Sequence, residues 1–303
     1  MKISSVIASL RLRTLPLSLA GSILGILLAF SEYRVDWKVA LFILLTTVSL
    51  QILSNLSNEL GDVLRGTDTK DRQGPVYSLN TGEITIGNMK FLIGLFVGIC
   101  ILSGLLMIYF SFGTLFCFES LCLILLGAAA ILGAMKYTLG RNPYGYRGLG
   151  DFYVLVFFGL VAVLGSYFVA SHEIPNILLA LPALSIGFFC VAVLNVNNMR
   201  DMRTDAKNRV TVAIRLGLKG SRIYQTILIA SGWVLMLVFC FLRFLDPWHF
   251  LFVLTLPLFI CHLHGVWTKS DHDLDPMLPL LVISTFLFSL LTGIGFVVFL
   301  LNQ

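Results

Sequence analysis

The chain has 303 residues, 57% hydrophobic and 12% charged, with a formal net charge of +5 and a mean hydropathy of +0.91. Ordinary soluble domains carry about 25% charged residues, so a water-soluble fold would lack the polar surface to cover itself. The composition points to one all-α, polytopic membrane domain over residues 1–303, because no stretch is polar and long enough to fold separately.

The N-terminal stretch places Arg11 and Arg13 after a short apolar patch, the wrong order for a cleavable secretion signal. A helix across about 30 Å of hydrocarbon needs roughly 20 apolar residues. Nine segments qualify: 15–31, 39–58, 90–110, 114–134, 151–171, 177–197, 222–243, 248–267 and 278–301. Their connectors alternate between two sides. Side one holds the N-terminus and the connectors near 59–89, 135–150, 198–221 and 268–277; side two holds short turns and the C-terminus. Of the 21 Lys and Arg residues only Arg34, Lys38 and Arg243 fall on side two, and the remaining 18 fall on side one. The positive-inside rule then makes side one cytoplasmic and the C-terminus external. The same bias accounts for the net charge without a nucleic-acid partner. Gly21-x-x-x-Gly25 and Gly94-x-x-x-Gly98 read as helix-packing sites. The six cysteines lie in apolar runs with no Cys-x-x-Cys pair, so they read as packing residues.

The second helix runs into Asn55-Leu-Ser-Asn58-Glu59-Leu-Gly-Asp62, followed by Asp68 and Asp71. If helix continues through Asp62, then Asn55, Asn58, Glu59 and Asp62 fall at i, i+3, i+4 and i+7 and share one face. The sixth helix repeats the device, with Asn198, Asp201 and Asp205 on one face. Setting Asp201 against Asp62 puts Asn197 against Asn58, a weak internal repeat.

An Asp at the centre of a membrane helix costs roughly 2.5–3.5 kcal/mol on insertion scales. Two like charges about 4 Å apart repel by roughly 4 kcal/mol at an effective dielectric near 20. Such acids are protonated, or paired with Arg or Lys, or gathered around a divalent cation. Oxygen-only ligands suit Mg²⁺, which prefers to share its shell with water and phosphate. Bases stand nearby: Arg65, Lys70 and Arg72 after the first motif, and Arg200, Arg203, Lys207, Arg209 and Arg215 around the second. Acids for a metal and bases for free phosphate oxygens together are what a diphosphate requires. Surface ion pairs at helix ends are the competing reading from spacing alone.

The connector between the fourth and fifth segments interleaves tyrosines with arginines: Tyr137, Arg141, Tyr144, Tyr146, Arg147 and then Asp151. An interfacial aromatic belt explains the tyrosines but not the arginines or Asp151. His262-x-His264 spacing at a helix end points the two rings apart, so it reads against a second metal site. The acidic run Asp271, Asp273, Asp275 reads as a solvated loop at the edge of the mouth.

Several of these landmarks, in order, resemble the UbiA superfamily of intramembrane prenyltransferases, and within it the branch that prenylates 1,4-dihydroxy-2-naphthoate. They are Arg13-Thr-Leu-Pro16, Asn58-x-x-Gly-Asp62-x-x-x-Gly-x-Asp68, Asp71-Arg72-x-Gly-Pro75, Pro143-Tyr-Gly-Tyr-x-Gly-Leu-Gly-Asp151 and Asn197-Asn-x-Arg200-Asp201-x-x-x-Asp205. Glu59 and Asn208-Arg209 depart from the family pattern of Asp and Gly-Lys.

The resemblance implies nine helices around a central cavity, with both motifs at its cytoplasmic mouth in a bacterial cytoplasmic membrane. It implies Mg²⁺ on Asn58, Asp62, Asp68, Asp201 and Asp205, the four Asp being catalytic. The diphosphate of a polyprenyl diphosphate is expected on Arg65, Lys70, Arg72 and Arg209. The aromatic acceptor is expected among Arg13, Tyr137, Arg141, Tyr144, Arg147, Asp151 and Asn198, the tail lying toward lipid. Alternatives are another acceptor, such as 4-hydroxybenzoate, or a secondary transporter, which also uses intramembrane acids and internal repeats.

Overall fold

The computed structural model describes residues 2–66, 78–206, 209–244 and 246–301. Among the described residues nine helices are long and apolar enough to cross a membrane: α1 (Ile3–Phe30), α2 (Trp37–Leu64), α3 (Ile86–Phe112), α4 (Phe118–Lys136), α5 (Gly150–Ser171), α6 (Ile177–Arg200), α7 (Val212–Leu242), α8 (Pro247–Thr268) and α9 (Asp271–Phe299). Each overlaps one of the nine segments read from hydropathy.

The helix ends follow local chemistry. Asp36 caps α2 by accepting from Lys38 N at 2.8 Å, and Thr85 and Thr211 cap α3 and α7 in the same way. Gly113 closes α3 in the left-handed conformation that glycine adopts without strain. The two largest differences from the hydropathy boundaries are at the starts of α1 and α7. An extra helix, Ile3–Leu10, precedes the first span and turns into it through a left-handed Arg11. And α7 begins ten residues before position 222, with a break at Gly217, φ 66. The first extension carries three serines and the second carries Arg215 and Lys219, residues that lower hydropathy without opposing helix.

The helices pack as two groups. One apolar core joins α1 and the start of α2 (Val39, Ile43) with α5 through α9; a second joins the rest of α2 with α3, α4 and the N-terminal helix. The ring closes where α1 lies along α9, with the Ser289 hydroxyl donating to Ala20 O. Small residues permit the tight crossings. A Cβ built on Gly21 would sit 2.7 Å from Phe158 O of α5, and one on Gly25 would collide with Val163 O. Gly159 meets Gly187 of α6 at the same kind of approach. The Gly94/Gly98 pair does not behave this way: both residues are exposed with open space beside them, so this second spacing is no helix-packing site within the chain. The middle of α5, Leu155–Gly165, is wound as π-helix, a widening often found at functional sites.

The connectors segregate as expected. Side-one loops bond to one another, as in Arg65 to Gly140 O and Val210 N to Tyr146 O. Side-two turns are joined by Arg243–Glu32 (2.5 Å) and Tyr167–Glu32 (2.7 Å). All six cysteines are free, three of them buried.

Gly25→Val should lower stability by about 1–3 kcal/mol through overpacking, whereas Gly98→Val should leave the unfolding temperature in detergent near wild type. Equal effects at both positions would contradict this packing.

Candidate active site

A cavity of about 570 Å³ opens between α1, α2, α4, α5, α6 and α9. Its lining runs along α2 from Ile43 to Asp62, on the order of 28 Å of helix at 1.5 Å per residue. The walls are apolar, with Leu123, Leu126, Phe157, Phe158 and Val161. The side-one end is polar and carries Asn58, Asp62, Asn197, Asn198, Asp201 and Asp205 together.

Helix α2 does continue through Asp62, which brings Asn58 and Asp62 to the cavity on one face. Asn55 and Glu59 turn to the other flank. Asn55 donates to Leu10 O (2.9 Å) and Thr14 Oγ1 (3.0 Å). Glu59 is fully buried and accepts from Ser9 Oγ (3.2 Å) and Leu79 N (2.9 Å). The expected four-residue face is thus split: two residues face the cavity and two anchor the N-terminal helix and the loop after residue 77. On α6 the helix stops at Asp201 and restarts as the short turn Met202–Asp205, which carries Asp205 back over the cavity.

Three buried carboxylates in one low-dielectric corner need cations. Arg209 bridges the two motifs: its Nη2 donates to Asp62 Oδ1 at 2.8 Å, and its Nε lies 3.5 Å from Asp205 Oδ1. Burial works against its charge, but Asp62 and Asp205 more than offset this and hold its pKa above the ordinary arginine value. Arg200, 2% exposed, grips Asp201 bidentately at 2.9 and 2.7 Å, and also reaches Asn197 Oδ1 (2.9 Å) and Asp275 Oδ1 (2.6 Å).

The α4–α5 connector supplies the third side. Tyr146 OH donates to Asp62 Oδ1 at 2.6 Å. The Tyr146 ring lies under both Arg65 (5.0 Å) and Arg209 (4.6 Å), a cation–π arrangement. Thr138 Oγ1 donates to Ser57 O (2.9 Å) and Asn58 Oδ1 (3.2 Å). This approach requires Gly61, since a Cβ there would be 2.6 Å from Thr138 Cβ. Tyr144 stacks on Tyr153 at 3.9 Å and meets Tyr137 edge-on at 5.3 Å, forming an aromatic wall of the cavity. Burial pushes the Tyr137 phenol up to about 12, so it is a neutral O–H at physiological pH.

Of the sequence-derived candidates, the cavity gathers Asn58, Asp62, Asp201, Asp205, Arg209, Arg13, Tyr137, Tyr144 and Asn198. Arg65, Arg141, Arg147 and Asp151 do not line it. Arg65 instead ties down the connector through Gly140 O (2.6 Å) and Arg141 O (3.1 Å). Arg141 and Arg147 are exposed, and Asp151 accepts from Tyr224 OH (2.9 Å) on α7. Asp68, Lys70 and Arg72 lie outside the described residues. Sequence reasoning did not single out Arg200 as the partner of Asp201, nor Tyr146 as a partner of Asp62; the arginine directly before the motif Asp was the available signal. The His262 and His264 side chains diverge, His262 buried and His264 exposed.

The donor set fits a hard divalent cation. Every group at the polar end is an oxygen ligand or a guanidinium. The cavity lining carries four carboxylates (Asp62, Asp201, Asp205, Asp275) and four guanidiniums (Arg11, Arg13, Arg200, Arg209), and Arg200 and Arg209 pair directly with the motif carboxylates. Among the described residues no three His, Cys, Asp or Glu side chains converge at ligand distance; Arg209 instead lies between Asp62 and Asp205.

The model of the UbiA prenyltransferase family matches residues 18–290. The chain is 39% identical over 289 residues to the 1,4-dihydroxy-2-naphthoate octaprenyltransferase of Escherichia coli (strain K12), covering 95% of this chain and 93% of that one. It is 37% identical over 295 residues to the enzyme of the same name from Haemophilus influenzae, covering 95% and 94%. A UbiA homolog from Archaeoglobus fulgidus, solved bound to GPP and Mg²⁺, superimposes with TM-score 0.67 at 16% identity over 97% of this chain and 99% of that one. The apo UbiA homolog from Aeropyrum pernix K1 gives 0.68 at 16% identity, over 98% of both chains. These two likenesses carry the fold.

Arg209→Gln would leave Asp62 and Asp205 facing each other without their shared cation. In chelator it should destabilise the protein by about 3 kcal/mol, as breaking a buried pair does. Adding Asp62→Asn should recover part of the loss in a thermal-unfolding double-mutant cycle; strict additivity would contradict the bridge.

Proposed function

The chain belongs to the UbiA prenyltransferase family, and from that premise we propose that it transfers a polyprenyl chain from its diphosphate to 1,4-dihydroxy-2-naphthoate. Diphosphate and CO₂ leave, giving the demethylmenaquinone skeleton. The observation that carries this reading is the meeting of both Asp motifs at one end of a long apolar cavity, in a chain similar to enzymes of that name. Family membership removes the support for a transporter.

Asn58, Asp62, Asp201 and Asp205 would hold Mg²⁺. When bound, the metal acts as a Lewis acid that stabilises charge developing on the departing diphosphate. Arg209 supports the same group: it is buried, cationic, and placed between the motifs, where it adds positive charge in a water-poor site. The apolar walls of α4 and α5 bind the prenyl tail and exclude water from the allylic cation formed when the C–O bond breaks. The faces of Tyr137, Tyr144 and Tyr153 stabilise that cation and orient the acceptor ring. The electron-rich ring then attacks the cation carbon. Arg13, on the same wall, offers a partner for the acceptor carboxylate before it leaves.

Side one, with most of the Lys and Arg, faces the cytoplasm of a bacterial cell and the C-terminus lies outside. Both Mg²⁺ and soluble naphthoate are then available at the polar mouth.

Asp62→Asn and Asp201→Asn should each lower turnover by about a hundredfold or more while the protein still inserts and unfolds cooperatively. Wild-type turnover in either would remove the assignment. Incubation with 1,4-dihydroxy-2-naphthoate, a polyprenyl diphosphate and Mg²⁺ should give a prenylated product lacking the carboxyl by mass. Chelator should abolish the product and added Mg²⁺ restore it; a preference for 4-hydroxybenzoate would move the acceptor assignment.

A further inference from the structure

Asp275 stands outside both motifs, near the start of α9 just after its 3-10 first turn, yet it and Pro276 line the cavity. Its Oδ1 accepts from Arg200 Nη1 at 2.6 Å. The same guanidinium uses Nε and Nη2 on the two oxygens of Asp201 and Nη2 on Asn197 Oδ1. Four of its five N–H donors are therefore committed to acceptors. One buried side chain sets the attitude of two polar groups of the second motif, and Asp275 holds it from behind.

The position of Asp275 is built into the fold. Two residues further on, Met277 O accepts from His262 Nδ1 at 3.0 Å. A carbonyl can only accept, so Nδ1 carries the proton and Nε2 is the acceptor. Gln225 Nε2 donates to His262 Nε2 at 3.0 Å, and its Oε1 accepts from Asn195 Nδ2 at 2.9 Å. Asn195, Gln225 and His262 are buried. Asn195 lies on α6 two residues before Asn197, which closes the circuit: α6 to α7 to α8 to the start of α9, then through Asp275 and Arg200 back to α6. A residue at the start of α9 held this way returns its position to the motif.

We propose that Asp275 is a positioning residue for the diphosphate-binding end, acting through Arg200 to orient Asp201 and Asn197 and to keep the Arg200 charge from being spent on Asp201 alone. The proposal rests on the prenyltransferase reading above. Arg200 occupies one lone pair on each oxygen of Asp201, which leaves the others turned toward the cavity for a divalent cation. Without Asp275, Arg200 loses its second anchor and Asp201 is less well presented.

The test uses the full-length protein in nanodiscs with two readouts. One is the Mg²⁺ concentration giving half-maximal turnover. The other, independent of turnover, is the rise in unfolding temperature produced by Mg²⁺ with inorganic pyrophosphate. Asp275→Ala should raise the half-saturating Mg²⁺ about tenfold or more, as loss of partners behind metal ligands does. It should diminish the pyrophosphate-dependent stabilisation, and saturating Mg²⁺ should recover most of kcat. Asp275→Asn, which keeps an acceptor oxygen in place, should show a smaller rise and tests the proposal if the alanine variant fails to fold. Asp271→Ala should match wild type, since the ion pair of Asp271 among the described residues is with the exposed Arg203 and not with Arg200. Unchanged Mg²⁺ dependence in the Asp275 variants overturns the proposal, as does an equal shift in Asp271→Ala. A wild-type protein indifferent to Mg²⁺ in both readouts overturns the underlying reading together with it.

Discussion

Like charges buried together are the constraint from which the rest of this structure follows. Asp62 on α2 and Asp205 beyond α6 are brought to one cavity end, where the surroundings screen them poorly. Arg209 lies between them, and Arg200 performs the same service for Asp201. Buried carboxylates without such partners would neutralise or force the helix ends apart. The arginines hold them in place. This oxygen-rich corner, with guanidiniums beside it, is where we propose that a divalent cation and a diphosphate bind together.

The surrounding architecture serves that corner. Gly61 lets the α4–α5 connector come close enough for Thr138 and Tyr146 to reach the first motif. Arg65, whose charge suggested a phosphate contact, stabilises the same connector from outside. The interruption of α6 at Asp201 carries Asp205 inward. The apolar length of the cavity follows from the two-group packing, with α2–α4 on one side and α5, α6 and α9 on the other. Close glycine contacts between α1 and α5, and between α5 and α6, allow the second group to pack closely.

Much of this was legible in the sequence. Nine apolar runs correspond to nine long apolar helices among the described residues, because hydropathy is a local sum. The paired spacing of Asn58/Asp62 and Asn197/Asp201 foretold two equivalent walls, since helical periodicity fixes which residues share a face. What stayed hidden is tertiary. Periodicity alone could not separate Asn58 and Asp62 from Asn55 and Glu59, because the N-terminal helix packs on the flank that the latter two occupy. The Gly94/Gly98 spacing matched a packing motif, but no helix lies against it. The pairing of Arg200 with Asp275 joins residues 75 positions apart, and nothing in the local pattern of either announces the other.

The central claim is that α2 and the end of α6 hold one divalent cation between them. The direct measurement is an anomalous-diffraction map of the protein crystallised with Mn²⁺ and inorganic pyrophosphate. The account predicts a Mn²⁺ peak coordinated by carboxylate oxygens from both Asp62 and the Asp201/Asp205 pair, with the arginines turned toward the pyrophosphate. Manganese bound by one motif alone, or by neither, would contradict it.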